Sequence, residues 1–563
     1  MRRGVSVVNK KVCSFPILFA LLALLIGTCA VVFPASAQAA PTSTGSITVS
    51  GTVASSYDAY QIFSANVVDG DSDAKIATDL AWASDAVRDA ALPVLHSAGM
   101  PNSQTTAQEA AEWLDTDSHL TSALSAQLAR SLQSSGAVSV ALNAGTTAEL
   151  SCGYWLIVAD DAAISQNEAG TAPIMALVGG SAVTVKPKAA TPKVAKHVLE
   201  DSAAAWQKAA DATVADDLYW RLSAMVPAGL TAYDTYAVRF VDTMSAGLDP
   251  SKVAASMRVY VAAGADGGFD AVPTGKDGRA GTEPAKGWTD ITAQCATKVA
   301  ADGRTFTVRT GDLIAVLGGA GAFTAGARVV AVYNAPLNSA CNHGIAKGNP
   351  NEVYLRYPRS PFADQSGDAG FTRTPSDNAC AYTWDLALTK RGSDGDKPLA
   401  GAVLSIADDR GRTLAADGTW DAEGKPTVTT GEDGRVTVSG VDSGKLEVRE
   451  LKAPKGYTAF EGTRSVTVKA EGLDVDQVAA AKPKLTITAE SPLRADSADG
   501  STGSLEASLI NTPTGTPPSI TTGGFMPSTG DMAMYAAAAA AVAGAALIVV
   551  ALLVKRGGGS HKE

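Results

Sequence analysis

Residues 386–390 read Leu-Ala-Leu-Thr-Lys, an alternation that places both leucines and Lys390 on one face of an extended strand. The same spacing aligns Glu450 and Asn511 with the apolar residues two positions before each of them. Such faces pack against a core, so a Lys, a Glu and an Asn are predicted to enter one hydrophobic interior. Burial disfavours charge, so we expect a neutral amine to face an amide polarised by a protonated carboxylic acid. Attack of the amine then forms an isopeptide bond and releases ammonia. The alternative is a buried ion pair beside a hydrogen-bonded Asn.

A second set of the same three residue types lies earlier in the chain. Lys196, Asp242 and Asn351 each share strand parity with apolar neighbours, so they are also predicted to point inward. Asn349 has the same parity as Asn351 and is the rival acceptor. A turn-capping role is the alternative for Asp242.

The C-terminal part carries a short motif followed by an apolar run from Ala533 to Val554 and a basic pair. About twenty helical residues cross a hydrocarbon core, so this run is predicted to be transmembrane with a cytoplasmic tail. A plain membrane anchor is the alternative, but it leaves unexplained the motif Met526-Pro527-Ser528-Thr529-Gly530.

The N-terminal part has the three-part layout of a secretory signal peptide, predicted at residues 1–40. Basic residues precede an apolar stretch at 15–33 and a small-residue region at 35–40. Export leads to an oxidising compartment, where disulfides persist. Four cysteines remain after cleavage, and they allow three pairings between which the sequence does not decide. We favour Cys295 with Cys341, because both fall in the same predicted domain, with Cys152 and Cys380 free.

Composition excludes several classes of function. The 563 residues carry a formal net charge of -11 without a long basic cluster, which argues against a nucleic-acid partner. The five histidines are scattered without metal-ligand spacing, so we expect no metal and no cofactor. No catalytic cluster for an outside substrate is evident, so the protein is predicted not to be an enzyme.

The pattern along the chain changes from mixed to strand-rich. Residues 41–187 combine strands with Ala- and Leu-rich helices, which predicts an α+β domain. Residues 188–378 and 379–513 alternate at period two between Gly- and Pro-rich turns, which is typical of antiparallel β-sandwiches. A Thr/Pro/Gly-rich spacer at 514–525 and a sorting signal at 526–563 complete the chain. The fold class is therefore predicted to be mainly β.

The third block resembles the CnaB-type domain of pilins and surface adhesins, an Ig-like sandwich. The resemblance is carried by Thr389-Lys390, by residues 398–402 and 450–457, and by Leu509-Ile510-Asn511-Thr512-Pro513. It implies that Lys390 and Asn511 form a cross-link that Glu450 catalyses. The middle block, through residues 236–248 and 348–357, resembles the isopeptide-forming second domain of fimbrial backbone subunits. That likeness implies a Lys196–Asn351 bond with Asp242 as catalyst.

Two further segments resemble the polymerisation machinery of Gram-positive pili. The C-terminal motif is similar to the Leu-Pro-x-Thr-Gly sorting signal, with Met526 in the place of Leu, and implies cleavage by sortase between Thr529 and Gly530. The linker Lys186-Pro187-Lys188 resembles the pilin motif whose lysine attacks the sortase thioester. Lys188 is the predicted nucleophile, with Lys186 as the alternative.

Together these features predict a subunit of a cell-surface pilus, secreted and anchored to the cell wall. The partners that the resemblance implies are sortase, identical subunits in a head-to-tail polymer, peptidoglycan and host surface ligands. One alternative is a monomeric wall-anchored adhesin that binds host matrix or glycans. A surface enzyme would need a catalytic cluster that the sequence does not contain.

Overall fold

The computed structural model describes residues 43–515, except 72–73, 171, 188–190, 229, 265–286 and 320–325. Within these residues the protein is mainly β, with helices concentrated before residue 140, so the predicted fold class is confirmed. The predicted signal peptide, the sorting signal, Lys188 and most of the spacer lie outside the described residues. In the part of the chain that is described, no helix is long and apolar enough to cross a membrane.

The first group of elements is the α+β part. Strands β2, β3, β6 and β7 form one sheet in the order β3-β2-β6-β7 with β4 on β2, and a smaller sheet has the order β5-β1-β8. The elements are β1 Thr44–Val49, β2 Ser56–Asp69, β3 Lys75–Trp82, α1 Asp85–Ser97, α2 Ala107–Asp115, α3 Ser122–Ser135, β4 Val140–Asn143, β5 Thr147–Ser151, β6 Gly153–Ala159, β7 Ile174–Val178 and β8 Val183–Val185.

Local sequence determines where these helices begin and end. Helix α2 starts with a capping box in which the side chains of Thr106 and Glu109 each bond to the other residue's backbone N–H. Helix α3 buries a stripe of leucines and ends at Gly136, whose φ of 70° is the left-handed conformation that glycine adopts easily. Leu120 precedes the helix and is exposed.

The second group forms a sandwich of two sheets around one hydrophobic core. One sheet has the order β10-β9-β12-β18-β14-β15 and the other β11-β21-β19-β13-β17-β16, with β20 on β19. The elements are β9 Lys193–Glu200, β10 Ala205–Gln207, β11 Ala209–Asp211, β12 Tyr219–Val226, β13 Arg239–Met244, α4 Val253–Ser256, β14 Arg258–Ala263, β15 Thr289–Asp290, β16 Ala296–Val299, β17 Thr305–Arg309, α5 Leu313–Val316, β18 Ala327–Asn334, β19 Asn349–Pro358, β20 Phe371–Arg373 and β21 Asp377–Tyr382.

The third group is a second sandwich with its own core. Its sheets have the orders β27-β22-β33-β29, with β32 on β33, and β25-β24-β23-β28-β30-β31, with β26 on β23. The elements are β22 Trp384–Gly392, β23 Val403–Ala407, β24 Thr413–Leu414, β25 Trp420–Asp421, β26 Val428–Thr429, β27 Arg435–Val441, β28 Gly444–Lys452, β29 Tyr457–Thr458, β30 Thr463–Glu471, β31 Lys484–Ala489, β32 Leu493–Asp499 and β33 Ser504–Pro513.

The first and last strands of this third sandwich lie side by side. Strand β22 pairs with β33 in parallel, from Asp385 opposite Ser504 to Gly392 opposite Asn511. The connection to the preceding sandwich is a single residue, Thr383, between β21 and β22.

A polar contact joins the two sandwiches around Asp211, at the end of β11. Its Oδ2 accepts hydrogen bonds from Trp384 Nε1 at 2.6 Å and from the Ser443 hydroxyl at 2.6 Å. Asp216 accepts two further bonds from the Arg412 guanidinium, at 2.5 and 2.8 Å. Both acceptors lie on the second sandwich and the three donors on the third, so the junction is held by buried or half-buried polar groups.

The predicted Cys295–Cys341 disulfide is wrong, since all four described cysteines are free thiols. Cys295 immediately precedes β16. Strand β17 pairs with both β16 and β13, and this pairing aligns the start of β16 with the Arg239 end of β13. Cys341 packs against Gly247, beyond the Met244 end of the same strand. Six strand residues span about 20 Å, whereas a disulfide requires Cα atoms within about 7 Å of each other. The two thiols therefore lie at opposite ends of the sandwich.

Candidate functional site

The third sandwich contains the first of two buried clusters of a Lys, an acid and an Asn. Lys390 lies on β22 opposite Leu509 of β33, and Asn511 is two positions further along β33, so both side chains are on the same face. Glu450 lies on β28 in the facing sheet. The predicted parity of these three residues thus brings them together from both sheets.

The contacts within this cluster are close and shielded from solvent. Lys390 Nζ lies 3.3 Å from Glu450 Oε1, and both side chains are fully buried. The Asn511 amide nitrogen donates to both carboxylate oxygens of Glu450, at 2.9 and 3.0 Å. Burial lowers the pKa of Lys390 to about 8, although the Glu450 charge opposes the shift. The neutral form of the Lys390 amine is therefore more populated at a given pH than that of an exposed lysine.

The second sandwich contains the other cluster, built in the same way. Asp242 on β13 is opposite Val353 of β19, and Asn351 is opposite Met244, so Asp242 and Asn351 are on one face of adjacent strands. Lys196 lies on β9 in the facing sheet. Its side chain crosses the core to reach them and is completely buried.

A tyrosine connects the three members of this second cluster. Lys196 Nζ contacts the Asp242 carboxylate and the Tyr333 hydroxyl, the latter at 2.9 Å. The Tyr333 hydroxyl donates to Asp242 Oδ2 at 3.1 Å and accepts from Asn351 Nδ2 at 2.8 Å. Burial lowers the pKa of Lys196 to about 8 and raises the pKa of Asp242. Both shifts favour the neutral forms of the amine and the acid.

Tyr333 was not predicted from the sequence, although a signal for it exists. Strand β18 alternates Val329, Ala331 and Tyr333 toward the core. A tyrosine at an inward position needs a partner for its hydroxyl, which indicates a buried polar group nearby. Together with Trp220, its ring also flanks the Lys196 ammonium, each centroid lying 5.4 Å from Nζ.

The two alternative candidates, Asn349 for the acceptor amide and Lys186 for the linking lysine, lie outside these clusters. Asn349 Oδ1 accepts from the Asn342 backbone N–H at 2.8 Å, and its Nδ2 donates to the carbonyls of Asn342 and Ala381. Its amide therefore fixes a loop instead of facing Lys196. Lys186 follows β8 and is exposed. In the described part of the chain, no group of three His, Cys, Asp or Glu residues is arranged to hold a metal ion.

Comparisons with known proteins agree with this architecture. Residues 385–482 match the family model of the SpaA prealbumin-like fold domain, so the third sandwich contains a domain of that class. Over 143 residues the chain is 30% identical to the trypsin-resistant surface T6 protein of Streptococcus pyogenes serotype M6, an alignment that covers 24% of each chain. The chain thus spans about a quarter of the length of that curated relative. These two matches confirm the predicted resemblance to Gram-positive surface pilins.

Solved pilin structures are similar over a larger share of the chain, at lower identity. The T6 backbone pilin of serotype M6 Streptococcus pyogenes is 17% identical, with 84% of this chain and 98% of that chain covered and a TM-score of 0.45. The full-length major pilin SpaD from Corynebacterium diphtheriae is 16% identical, with 84% and 100% covered and a TM-score of 0.42.

Proposed function

We propose that the chain is a structural subunit of a covalently polymerised cell-surface pilus, stabilised by two internal Lys–Asn isopeptide bonds. The observation that carries the proposal is the repeated burial of a Lys, a carboxylic acid and an Asn in contact, once in each sandwich. Burying charged and polar groups costs free energy, so three such groups in contact in a core indicate a function. Because the same combination of a Lys, an acid and an Asn occurs independently in both sandwiches, we infer that both clusters undergo the same reaction.

In the third sandwich the reaction joins Lys390 to Asn511. The neutral Lys390 amine attacks the side-chain carbonyl carbon of Asn511, a new C–N bond forms, and the Asn511 amide nitrogen leaves as ammonia. Glu450 carries protons from the attacking amine to the leaving nitrogen, a role supported by its contacts with both Nζ and Nδ2. One amine and one amide give one substituted amide and ammonia, so atoms and charge balance.

In the second sandwich the same reaction joins Lys196 to Asn351. Within the described part of the chain, Asp242 Oδ1 and Asn351 Oδ1 are buried oxygens without a hydrogen-bond partner. A proton on Asp242 Oδ1 would let the acid donate to the amide oxygen and polarise the carbonyl, and the raised pKa of Asp242 supports that protonated form. Tyr333 positions the acid and the amide through its hydroxyl.

Polymerisation in this proposal uses residues outside the described part of the chain. Sortase would cleave after Thr529 and join its carbonyl to Lys188 of a neighbouring subunit, repeating head to tail as an open filament. The order of sorting motif, apolar run and basic tail supports sortase and peptidoglycan as partners, and cell-wall anchoring as the location. The described residues serve as scaffold, with adhesion to host surfaces as the role of the assembled fibre.

The test is expression of the full chain together with a pilus sortase, followed by gel electrophoresis of wall extracts in SDS. We expect a high-mass ladder that disappears in Lys188→Ala and persists in Lys186→Ala, a matched control two residues away. A single band from the unmodified chain would contradict polymerisation and favour the monomeric adhesin. A ladder lost only in Lys186→Ala would move the junction to that residue.

A further inference from the structure

A third group of reactive side chains lies where the two sandwiches meet, away from both cross-linking clusters. Cys341 and His343 are on the loop between β18 and β19, and Asp385 is at the start of β22. Cys341 Sγ lies 3.5 Å from His343 Nε2, and His343 Nδ1 lies 2.8 Å from Asp385 Oδ1. A thiol, an imidazole and a carboxylate are therefore aligned through the two opposite nitrogens of the ring.

The loop that carries Cys341 and His343 is fixed by backbone hydrogen bonds. The Cys341 N–H donates to the Asn338 carbonyl at 3.1 Å, and the Gly344 N–H donates to the Thr383 carbonyl at 3.0 Å. Gly344 has a φ of 75° and packs against the backbone of Gly503, where a Cβ would collide. The histidine ring is thus held in place from both sandwiches.

The nitrogen base next to Cys341 is positively charged. The close contact with the Asp385 carboxylate raises the pKa of His343 to about 10, so the ring is an imidazolium at neutral pH. A positive group in contact with a cysteine stabilises its thiolate, the form that reacts. Burial raises the thiol pKa of Cys295 and of Cys380 to about 11, and neither thiol contacts an imidazolium among the described residues.

We propose that Cys341 is a thiol modification site that undergoes exchange with small disulfides, with His343 and Asp385 as its positioning residues. Cys341 Sγ attacks one sulfur of the disulfide, the S–S bond of the reagent breaks, and a mixed disulfide with Cys341 forms. The second sulfur leaves as a thiolate that takes its proton from His343 or water. Cysteine is oxidised and the leaving sulfur is reduced, so electrons balance. Cys341 is only 9% exposed, which restricts the partner to small, flat or flexible disulfides.

The inference is independent of the pilus proposal and is tested on the purified full chain. An aromatic disulfide that releases a coloured thiolate is added at a series of pH values, and the labelled cysteine is identified by peptide mass spectrometry. We expect Cys341 to react at least about tenfold faster than Cys295 or Cys380 at neutral pH. Cys341→Ser should remove the fast phase.

Two variants separate a reactive pair from a purely structural ion pair. His343→Gln should slow the labelling of Cys341 at neutral pH, because the contacting imidazolium is lost. Asp385→Asn should slow it as well, and asparagine keeps nearly the same side-chain volume as aspartate. Circular dichroism and thermal melting establish that each variant is folded. The proposal is overturned if Cys341 reacts only after denaturation. A labelling rate of Cys341 that neither variant changes would also overturn it.

Discussion

The amide nitrogen of Asn511 donates to both carboxylate oxygens of Glu450, at 2.9 and 3.0 Å, inside the core of the third sandwich. Because the same carboxylate also contacts Lys390 Nζ, one acid touches both the amine that would attack and the nitrogen that would leave in the proposed reaction. This arrangement assigns proton transfer to a single residue and makes Glu450 the most informative position to change.

Glu450→Gln should block the proposed bond in the third sandwich while preserving side-chain shape. Each isopeptide bond removes one ammonia, about 17 Da, so intact-mass spectrometry counts the bonds directly. We expect the chain with both bonds to lose two ammonia masses and the variant to lose one. Glu447→Gln, an exposed position on the same strand, is the matched control and should retain both losses. Two losses in Glu450→Gln would exclude its catalytic role.

Tyr333→Phe should slow or prevent the bond in the second sandwich and leave the third unaffected. The variant removes the hydroxyl that bonds Asp242 and Asn351, and leaving buried polar groups without partners costs about 1–3 kcal/mol. Mass spectrometry over time after expression measures bond formation, and thermal unfolding measures the loss of stability. Tyr354→Phe on β19 points away from the cluster and serves as the control. Equal rates in both variants would show that Tyr333 is not required.

Lys390→Met should lower both thermal stability and resistance to proteases. Methionine keeps most of the volume of the buried chain but cannot form the bond. By analogy with disulfides, a cross-link that closes a long loop stabilises a domain by about 2–4 kcal/mol, mainly by restricting the unfolded chain. The control is Lys445→Met, where the lysine is half exposed and ion-paired at the surface. Identical melting of the two variants would argue against a covalent link.

Glu200 should make the protein less stable as the pH rises toward neutrality. Burial, followed by the charge of Asp211, raises the pKa of Glu200 from 4.5 to about 7. Because the folded state holds this proton more tightly than the unfolded state, the stabilising contribution is complete below about pH 4.5 and is lost as the pH rises through about 7. Glu200→Gln should flatten melting temperature against pH in that window. Glu506→Gln, an exposed ion-paired glutamate, should keep the slope of the unmodified chain.

Strand parity predicted the face of the strand on which each cluster residue lies. Lys390, Glu450 and Asn511 each follow an apolar residue by two positions, and a period of two fixes the face on which a side chain lies. The choice between Asn351 and Asn349 could not be made in this way, since both have the same parity. Their different environments depend on the loop of Asn342, which only the three-dimensional pairing reveals.

Other features depend on long-range topology that local spacing does not contain. The predicted pairing of Cys295 with Cys341 assumed that membership of one sandwich implies proximity, whereas strand order puts the two thiols at opposite ends. The inward position of Tyr333 indicates a buried polar partner, but the pattern of its strand does not tell which residues of the facing sheet provide it. The contact of His343 with Asp385 joins two sandwiches and is likewise invisible to periodicity.

The parallel pairing of β22 with β33 has a mechanical consequence once the Lys390–Asn511 bond is in place. A force applied to the two ends of the third sandwich would run along β22 to Lys390, across the new amide, and out through the last residues of β33. Residues 391–510 lie outside this path and would carry no tension. Such a module transmits tension without unfolding and with almost no gain in length. A fibre built from it would therefore be nearly inextensible under load.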